Sequence, residues 1–153
     1  PLLWRLHKVH HTDLDFDVTT AVRFHPVEIV LSLFYKVFVI SLLGAPAIAV
    51  LIFELILSTS ALFNHSNIAI PVAWDRRLRW LFVTPDMHRI HHSTAQGETD
   101  SNFGSSISLW DRLFSTYTPE PALGQTGMHI GLSQYQYSPA VTLKKLLLMP
   151  FRS

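Results

Sequence analysis

Cysteine is absent from this 153-residue chain, and only 15% of its residues are charged. The first absence removes disulfide frameworks, thiolate nucleophiles, Cys-ligated zinc and iron–sulfur clusters. The second, with a mean hydropathy of +0.25, removes a disordered tail, which needs high charge and little apolar surface. A net charge of +1 leaves no electrostatic footprint for nucleic acid. The sequence also lacks His-Glu-x-x-His, a Gly-x-Ser-x-Gly elbow and a Gly-rich phosphate loop. Metalloprotease, serine hydrolase and nucleotide-binding readings therefore have no support. What is present is histidine, nine residues of it, and a long apolar run.

Between Val27 and Phe63 only Glu28, Lys36 and Glu54 carry formal charge. One bilayer span needs about 20 apolar residues, so the run is long enough for two. Gly44-Ala45-Pro46 sits near its middle and is a strong breaker. The expectation is a transmembrane helical hairpin with spans at about 27–43 and 46–63. The alternative, a buried hairpin in a soluble core, normally shows a polar face. Both flanks are basic, with Arg5, Lys8 and Arg23 before the run and Arg76, Arg77, Arg79, Arg89 and Arg112 after it. The positive-inside rule then puts both flanks in the cytoplasm. Lys36 and Glu54 are equidistant from the turn, hence at one depth, and charges there are costly. They are expected to face each other as a pair.

The remaining segments read as follows. Leu2 to His11 looks like the end of a helix, and Asp13, Asp15 and Asp17 mark a polar turn. Thr84-Pro85-Asp86 is a helix start. Gln96 to Gly104 reads as a polar loop and Ser108 to Tyr117 as a short amphipathic segment. Pro119 to Gly131 is loop-like. Val141 to Phe151 reads as a short helix on the membrane, with Lys144 and Lys145 on its polar side.

His7-Lys8-Val9-His10-His11-Thr12 recurs as His88-Arg89-Ile90-His91-His92-Ser93. On a helix, positions i, i+3 and i+4 share a face, so each copy is expected to aim three imidazoles at one point. The two copies bracket a hairpin whose ends lie on one side, which points to metal ligation. Six imidazoles exceed what one zinc takes, since zinc uses three or four protein ligands. Two metals are implied, and all-nitrogen ligation suits iron, zinc, copper or nickel. His65, at the cytoplasmic end of the second span, is the expected seventh ligand, with Asn64 beside it to help orient the set. His25 is expected near the site but not as a ligand, and His129 as unrelated.

These residues resemble the fatty acid hydroxylase superfamily, also called the sterol desaturase family, in its bacterial sterol-desaturase-like branch. The resemblance lies in His7-x-x-His10-His11, the isolated His65 and His88-x-x-His91-His92. It extends to Arg23-Phe24-His25-Pro26-x-Glu28, Thr84-Pro85-x-Met87-His88, Asn102-Phe103-Gly104 and the stretch from Leu109 to Tyr117. It implies an all-α integral membrane protein with a cytoplasmic, histidine-rich di-metal helical cap, forming one domain over residues 1–153. The implied cofactor is two Fe2+ ions, with zinc as a possible substitute. The implied activity is O2-dependent hydroxylation or desaturation of a sterol or fatty-acyl lipid. Electrons would come from a separate donor, a cytochrome b5-like protein, a ferredoxin or a reductase. The location would be a bacterial inner membrane, or the endoplasmic reticulum in a eukaryote.

The family's first motif, His-x-x-x-His, has no counterpart here, and the chain starts at Pro1. The expectation is that this motif lies upstream and that residues 1–153 alone are inactive. Asp13, Asp86, Asp100, Asn102 and Asp111 join Asn64 as candidates for orienting the imidazoles. Trp110, Phe114 and Tyr117 are candidates for walling a substrate channel. Two other classes remain open: a histidine-rich metal-binding membrane protein without turnover, and a di-zinc membrane hydrolase. The latter would need a carboxylate base, with Asp13 and Asp86 nearest in sequence.

Overall fold

The computed structural model describes residues 2–137 and 142–152. Among these there is no β-strand, only isolated bridges pairing Phe82 with Ile107 and Ser93 with Ile130. The helices in chain order are α1 (Leu2–His7), α2 (Pro26–Leu43), α3 (Ala47–Asn64), α4 (Val72–Leu78), α5 (Pro85–His91), α6 (Gln96–Thr99), α7 (Leu109–Leu113), α8 (Gly124–Gly127) and α9 (Leu143–Leu148). Short 3-10 turns cover His10–Thr12, Val18–Val22, Ser133–Tyr135 and Met149–Phe151.

α2 and α3 form the hairpin. Pro26 opens α2 at a position where its missing N–H costs nothing, and the His25 ring caps the helix by accepting from the Val27 N–H at 3.2 Å. Gly44 closes α2 in the left-handed region at φ 62°, its N–H bonded to the Ile40 carbonyl. That conformation is open to glycine without a Cβ penalty. Each helix has 18 residues and a mean hydropathy of 1.9. At 1.5 Å rise this is about 27 Å, close to the thickness of a bilayer's hydrocarbon layer.

No residue of α2 is buried, and in α3 only Asn64 is. Phe34 is 69% exposed and Leu43 73%. The hairpin therefore does not form the core of this chain, as a buried soluble hairpin would. Lys36 Nζ lies 2.7 and 2.9 Å from the two carboxylate oxygens of Glu54. The equal spacing from the turn does bring the two together.

The interior of the rest is small and rich in polar groups. Leu6, Val9, Phe16, Val83, Met87 and Ile90 are buried, alongside six of the histidines in the two motifs and α3's end. α3 packs against the Val18–Val22 turn and against α5, which carries its C-terminal end between the two histidine motifs. Asp17 caps the turn by accepting from the Thr19 N–H, and Thr84 caps α5 by accepting from the Met87 N–H.

Asp111 is buried and ties α7 to the preceding loop. It accepts from the Phe103 and Gly104 N–H groups at 2.7 and 2.9 Å and from the Thr116 hydroxyl at 2.7 Å. Gly104 is required there, since a Cβ would lie 2.8 Å from Asp111 Oδ2 and 2.9 Å from the Ile107 carbonyl oxygen. A buried Arg79–Asp75 pair at 2.5 Å anchors α4, with Arg79 also donating to the Pro119 carbonyl.

Three expectations are corrected. The first helix ends at His7 and gives way to a 3-10 turn at His10–Thr12, so Leu2 to His11 is not one helix. The loop from Gln96 to Gly104 begins with the helical turn α6. The C-terminal helix starts at Leu143, not Val141, and Val141 itself lies outside the described residues.

Candidate metal centre

The ring nitrogens of seven histidines gather in two groups. His10, His65, His88 and His92 form one, and His7, His11 and His91 the other; within each group the nitrogens all lie within 4.8 Å of one another. The groups share a wall, where the His11 and His92 rings stack with centroids 4.4 Å apart.

This corrects the expectation that each motif converges on one point. The first motif gives its first and last histidines, His7 and His11, to the three-membered group and sends His10 to the other. The second motif does the reverse: His88 and His92 go to the four-membered group and His91 crosses over. The physical cause is local. α1 breaks after His7, and α5 ends at His91 with His92 as its C-cap, so neither triplet stays on one regular helical face.

Four of the rings are held from behind through Nδ1. His7 faces Glu28 at 2.8 Å, His10 the Arg23 carbonyl at 3.3 Å, His65 the Ala61 carbonyl at 2.7 Å and His91 the Ser101 carbonyl at 2.9 Å. An outward-bound Nδ1 leaves Nε2 facing inward, and such partners fix ring orientation and tautomer. His65 Nε2 lies 3.1 Å from both His10 Nε2 and His88 Nε2. Two nitrogens about 2.1 Å from a common ion and at right angles to it are about 3 Å apart, so this spacing fits shared ligation.

Burial lowers the pKa of His10 to about 2 and that of His91 to about 4. It also pushes His11, His65, His88 and His92 down, and neighbouring imidazoles add to the effect in each. A charged imidazole in this cluster would be desolvated and repelled by its neighbours. Neutral rings are the ligating form. Both ring nitrogens of His11 and of His92, and Nδ1 of His88, are buried without a hydrogen-bond partner. Unpartnered buried polar atoms are costly and call for an explanation such as an ion. The donor set therefore fits transition-metal ions.

Aromatic rings close the cluster. Phe24 stacks on His10 at 4.6 Å, Phe103 meets His91 at 5.4 Å and Trp4 meets His11 at 5.1 Å. Phe16, in the left-handed region at φ 42°, packs against His92 at 4.8 Å and His65 at 5.3 Å. Its outer face is covered by the Arg89 guanidinium at 5.5 Å.

The six residues expected to orient the imidazoles have their hydrogen bonds elsewhere. Asp13 accepts from the Thr20 hydroxyl and pairs with Arg23, and Asp86 pairs with Arg89. Asp100 accepts from Gln96. Asn64 donates to the Ser105 carbonyl, and Asn102 bonds the Met87 carbonyl and the Thr118 backbone. Asp111 holds the Phe103–Gly104 backbone. Their work is to brace the segments that carry the rings.

Sequence reasoning noted Glu28 but not as the partner of His7, and missed the carbonyl partners and Phe16. Glu28 carried a signal: it is the lone charge in the first turn of an apolar helix. His25 belongs to neither group, being the α2 cap and a partner of the Leu147 carbonyl at 3.1 Å. His129 is exposed and lies outside both groups. Trp110 and Phe114 are exposed, and Tyr117 lies against the Arg112 guanidinium at 4.0 Å.

Fold and site together define a helical protein with an apolar hairpin and a paired, all-imidazole centre beneath it. Residues 1–116 match the fatty acid hydroxylase family, and the chain belongs to that family. It is 30% identical over 131 residues to an ornithine lipid hydroxylase of Rhizobium tropici, covering 84% of this chain and 38% of that protein. It is 27% identical over 124 residues to an alkylglycerol monooxygenase of Xenopus tropicalis, covering 78% of this chain and 26% of the relative. The human alkylglycerol monooxygenase is 25% identical over 126 residues, with the same coverage. The chain thus spans between about a quarter and two fifths of the length of these relatives. No solved structure matches it.

Proposed function

We propose that this chain is the metal-binding part of a membrane enzyme that hydroxylates a lipid at a C–H bond. The observation that carries the reading is the pair of adjacent, buried groups of neutral imidazoles below an apolar hairpin. His10, His65, His88 and His92 would hold one ion and His7, His11 and His91 the other. Iron is the metal proposed, because zinc has no redox chemistry and would serve only as a substitute. Bound iron supplies dioxygen activation and oxidation of the C–H bond, with electrons from a separate donor.

The chain's own residues have distinct tasks. Glu28 and the three carbonyls hold the rings in register. Phe16, Phe24, Phe103 and Trp4 keep water from the imidazoles. Burial keeps the rings neutral, so ligation does not have to displace protons near neutral pH.

The hairpin is taken to span the bilayer with the basic flanks, and so the centre, on the cytoplasmic side. Residues 1–153 are taken as one domain. The segment beyond Thr116 supports this, since the Gly131 N–H bonds the His92 carbonyl and the His129 carbonyl accepts from the Thr94 N–H. The names of the relatives favour hydroxylation over desaturation, and a glycerol- or amino-acid-based lipid over a sterol. The hydrolase reading loses its base, because Asp13 and Asp86 are both engaged in ion pairs. A transport reading loses its polar path, because Lys36 and Glu54 satisfy each other.

The test is expression of the intact gene with a reductase, followed by mass spectrometry of the host lipids. The expected result is a lipid heavier by one oxygen atom that disappears in His91→Ala. Unchanged lipids with a fully iron-loaded protein would overturn the assignment.

A further inference from the structure

A cleft of about 450 Å³ lies outside the histidine cluster, lined by Lys8, Gln134, Tyr135, Lys145, Met149 and Arg152. Three of the six are cations. Among the described residues, none of the three forms an ion pair with a carboxylate. A cleft of this size is in the range that takes small ligands. Three cations lining one hollow raise the positive potential there and favour an anion.

The cleft's position says which anion. α9, which supplies Lys145, is tied at its Leu147 carbonyl to the His25 ring, and His25 is the N-cap of the apolar helix α2. α9 therefore lies level with the end of a proposed membrane span, at the depth of lipid headgroups. Leu143 of α9 is 71% exposed, and Phe151 in the turn that follows it is 68% exposed. α1 packs against the Met149–Phe151 turn and adds exposed Leu2 and Leu3. The surface is a cationic hollow beside an apolar flank, which is the pattern of an anionic amphiphile.

We propose that this cleft binds the phosphate or carboxylate headgroup of an anionic lipid. Lys8 follows His7 directly, and Glu28 of α2 holds the His7 ring. A headgroup seated here would meet the segment that carries His7, with its chains on the apolar flank. The proposal rests on the reading of the chain as a lipid-modifying membrane protein and assigns the polar end of its lipid.

The test uses the intact protein in phosphatidylcholine nanodiscs doped with phosphatidylglycerol. Native mass spectrometry reads the phosphatidylglycerol retained, and elemental analysis reads the iron. Lys145→Glu and Arg152→Glu are each expected to cut retention at least about fivefold, since each removes one cation at a membrane surface and puts an anion in its place. Lys144→Glu makes the same charge change on the same helix but does not line the cleft, and is expected to retain the lipid. Iron content should be unchanged in all three, which separates a lost site from a lost fold. Equal losses in all three variants, or none in any, would overturn the proposal. So would displacement of the lipid by inorganic phosphate alone, which would make the cleft a free-anion site. If the wild type retains the lipid but oxidises none, the oxygenase reading fails and the cleft stands. If it oxidises lipids without favouring anionic ones and retains none, the reverse holds.

Discussion

The two histidine groups are built from the same motifs yet are not equivalent. The four-membered group is buried throughout, and three of its inward-facing nitrogens are within 3.1 Å of a neighbour's. The three-membered group has a half-buried member: the His7 side chain is 33% exposed and leans on a carboxylate rather than on a main-chain carbonyl. An ion in the first would be saturated by protein and shielded. An ion in the second would be less shielded, with an accessible edge at His7. The reciprocal exchange of His10 and His91 keeps the two against each other, so the closed group braces the open one.

His91→Ala removes one of the three rings that the described residues give the open group, and should have the largest effect. Iron content should fall by about one equivalent, and lipid oxidation should vanish, because a catalytic ion needs three protein ligands. His65→Ala reduces the closed group to three rings. It should weaken iron retention there while leaving some activity, as followed by elemental analysis and product mass spectrometry. Equal behaviour of the two variants would erase the distinction between the groups.

Glu28→Ala leaves all seven rings in place but frees His7. Metal affinity at the open group should drop about 10–100-fold, as for other losses of an orienting partner, with the closed group unaffected. Competition with a graded chelator would read this.

Acidity sharpens the comparison through the metal-free protein. The folded rings resist protonation, His91 to about pH 4 and His10 to about pH 2, while unfolded histidine binds protons near 6.5. The unfolded state therefore binds more protons below pH 6.5, and stability falls as the pH drops from there toward the folded values. Above pH 6.5 these groups should contribute no slope. Thermal melting against pH measures it, and metal-loaded protein should resist until the ion is lost.

The smallest expected effect lies away from the rings. Gly104→Ala sets a Cβ against Asp111 and the Ile107 carbonyl and should cost about 1–3 kcal/mol of stability through overpacking, with the iron content of the folded fraction unchanged.

Much of this was legible from residue types. Gly44 and Pro46 mark the hairpin turn, since few other residues break an apolar helix. Lys36 and Glu54 are paired by their equal distance from that turn. Six of the seven histidines announce themselves by repetition, and His65 by its place at the end of the second apolar run. Their partition did not, because it depends on where α1 breaks and where α5 ends, and a one-residue change in helical register moves an imidazole between groups. The orienting partners were hidden for another reason. Three of the four are main-chain carbonyls, which every residue carries. The conspicuous carboxylates Asp13, Asp86 and Asp111 had other partners: the first two pair with arginines and the third with backbone N–H groups. Phe16 gave little warning, because its role depends on a left-handed backbone within a run of aspartates.

The central claim is that two adjacent metal sites exchange one histidine between the repeated motifs. The most direct measurement is iron per chain in the intact protein loaded anaerobically, for the wild type, His91→Ala and His10→Ala. The account predicts about two equivalents in the wild type. In His91→Ala the ion lost should be the one held with His7 and His11, and in His10→Ala retention should weaken at the one held with His65, His88 and His92. Full retention in both variants would contradict it, as would a wild type that binds a single ion.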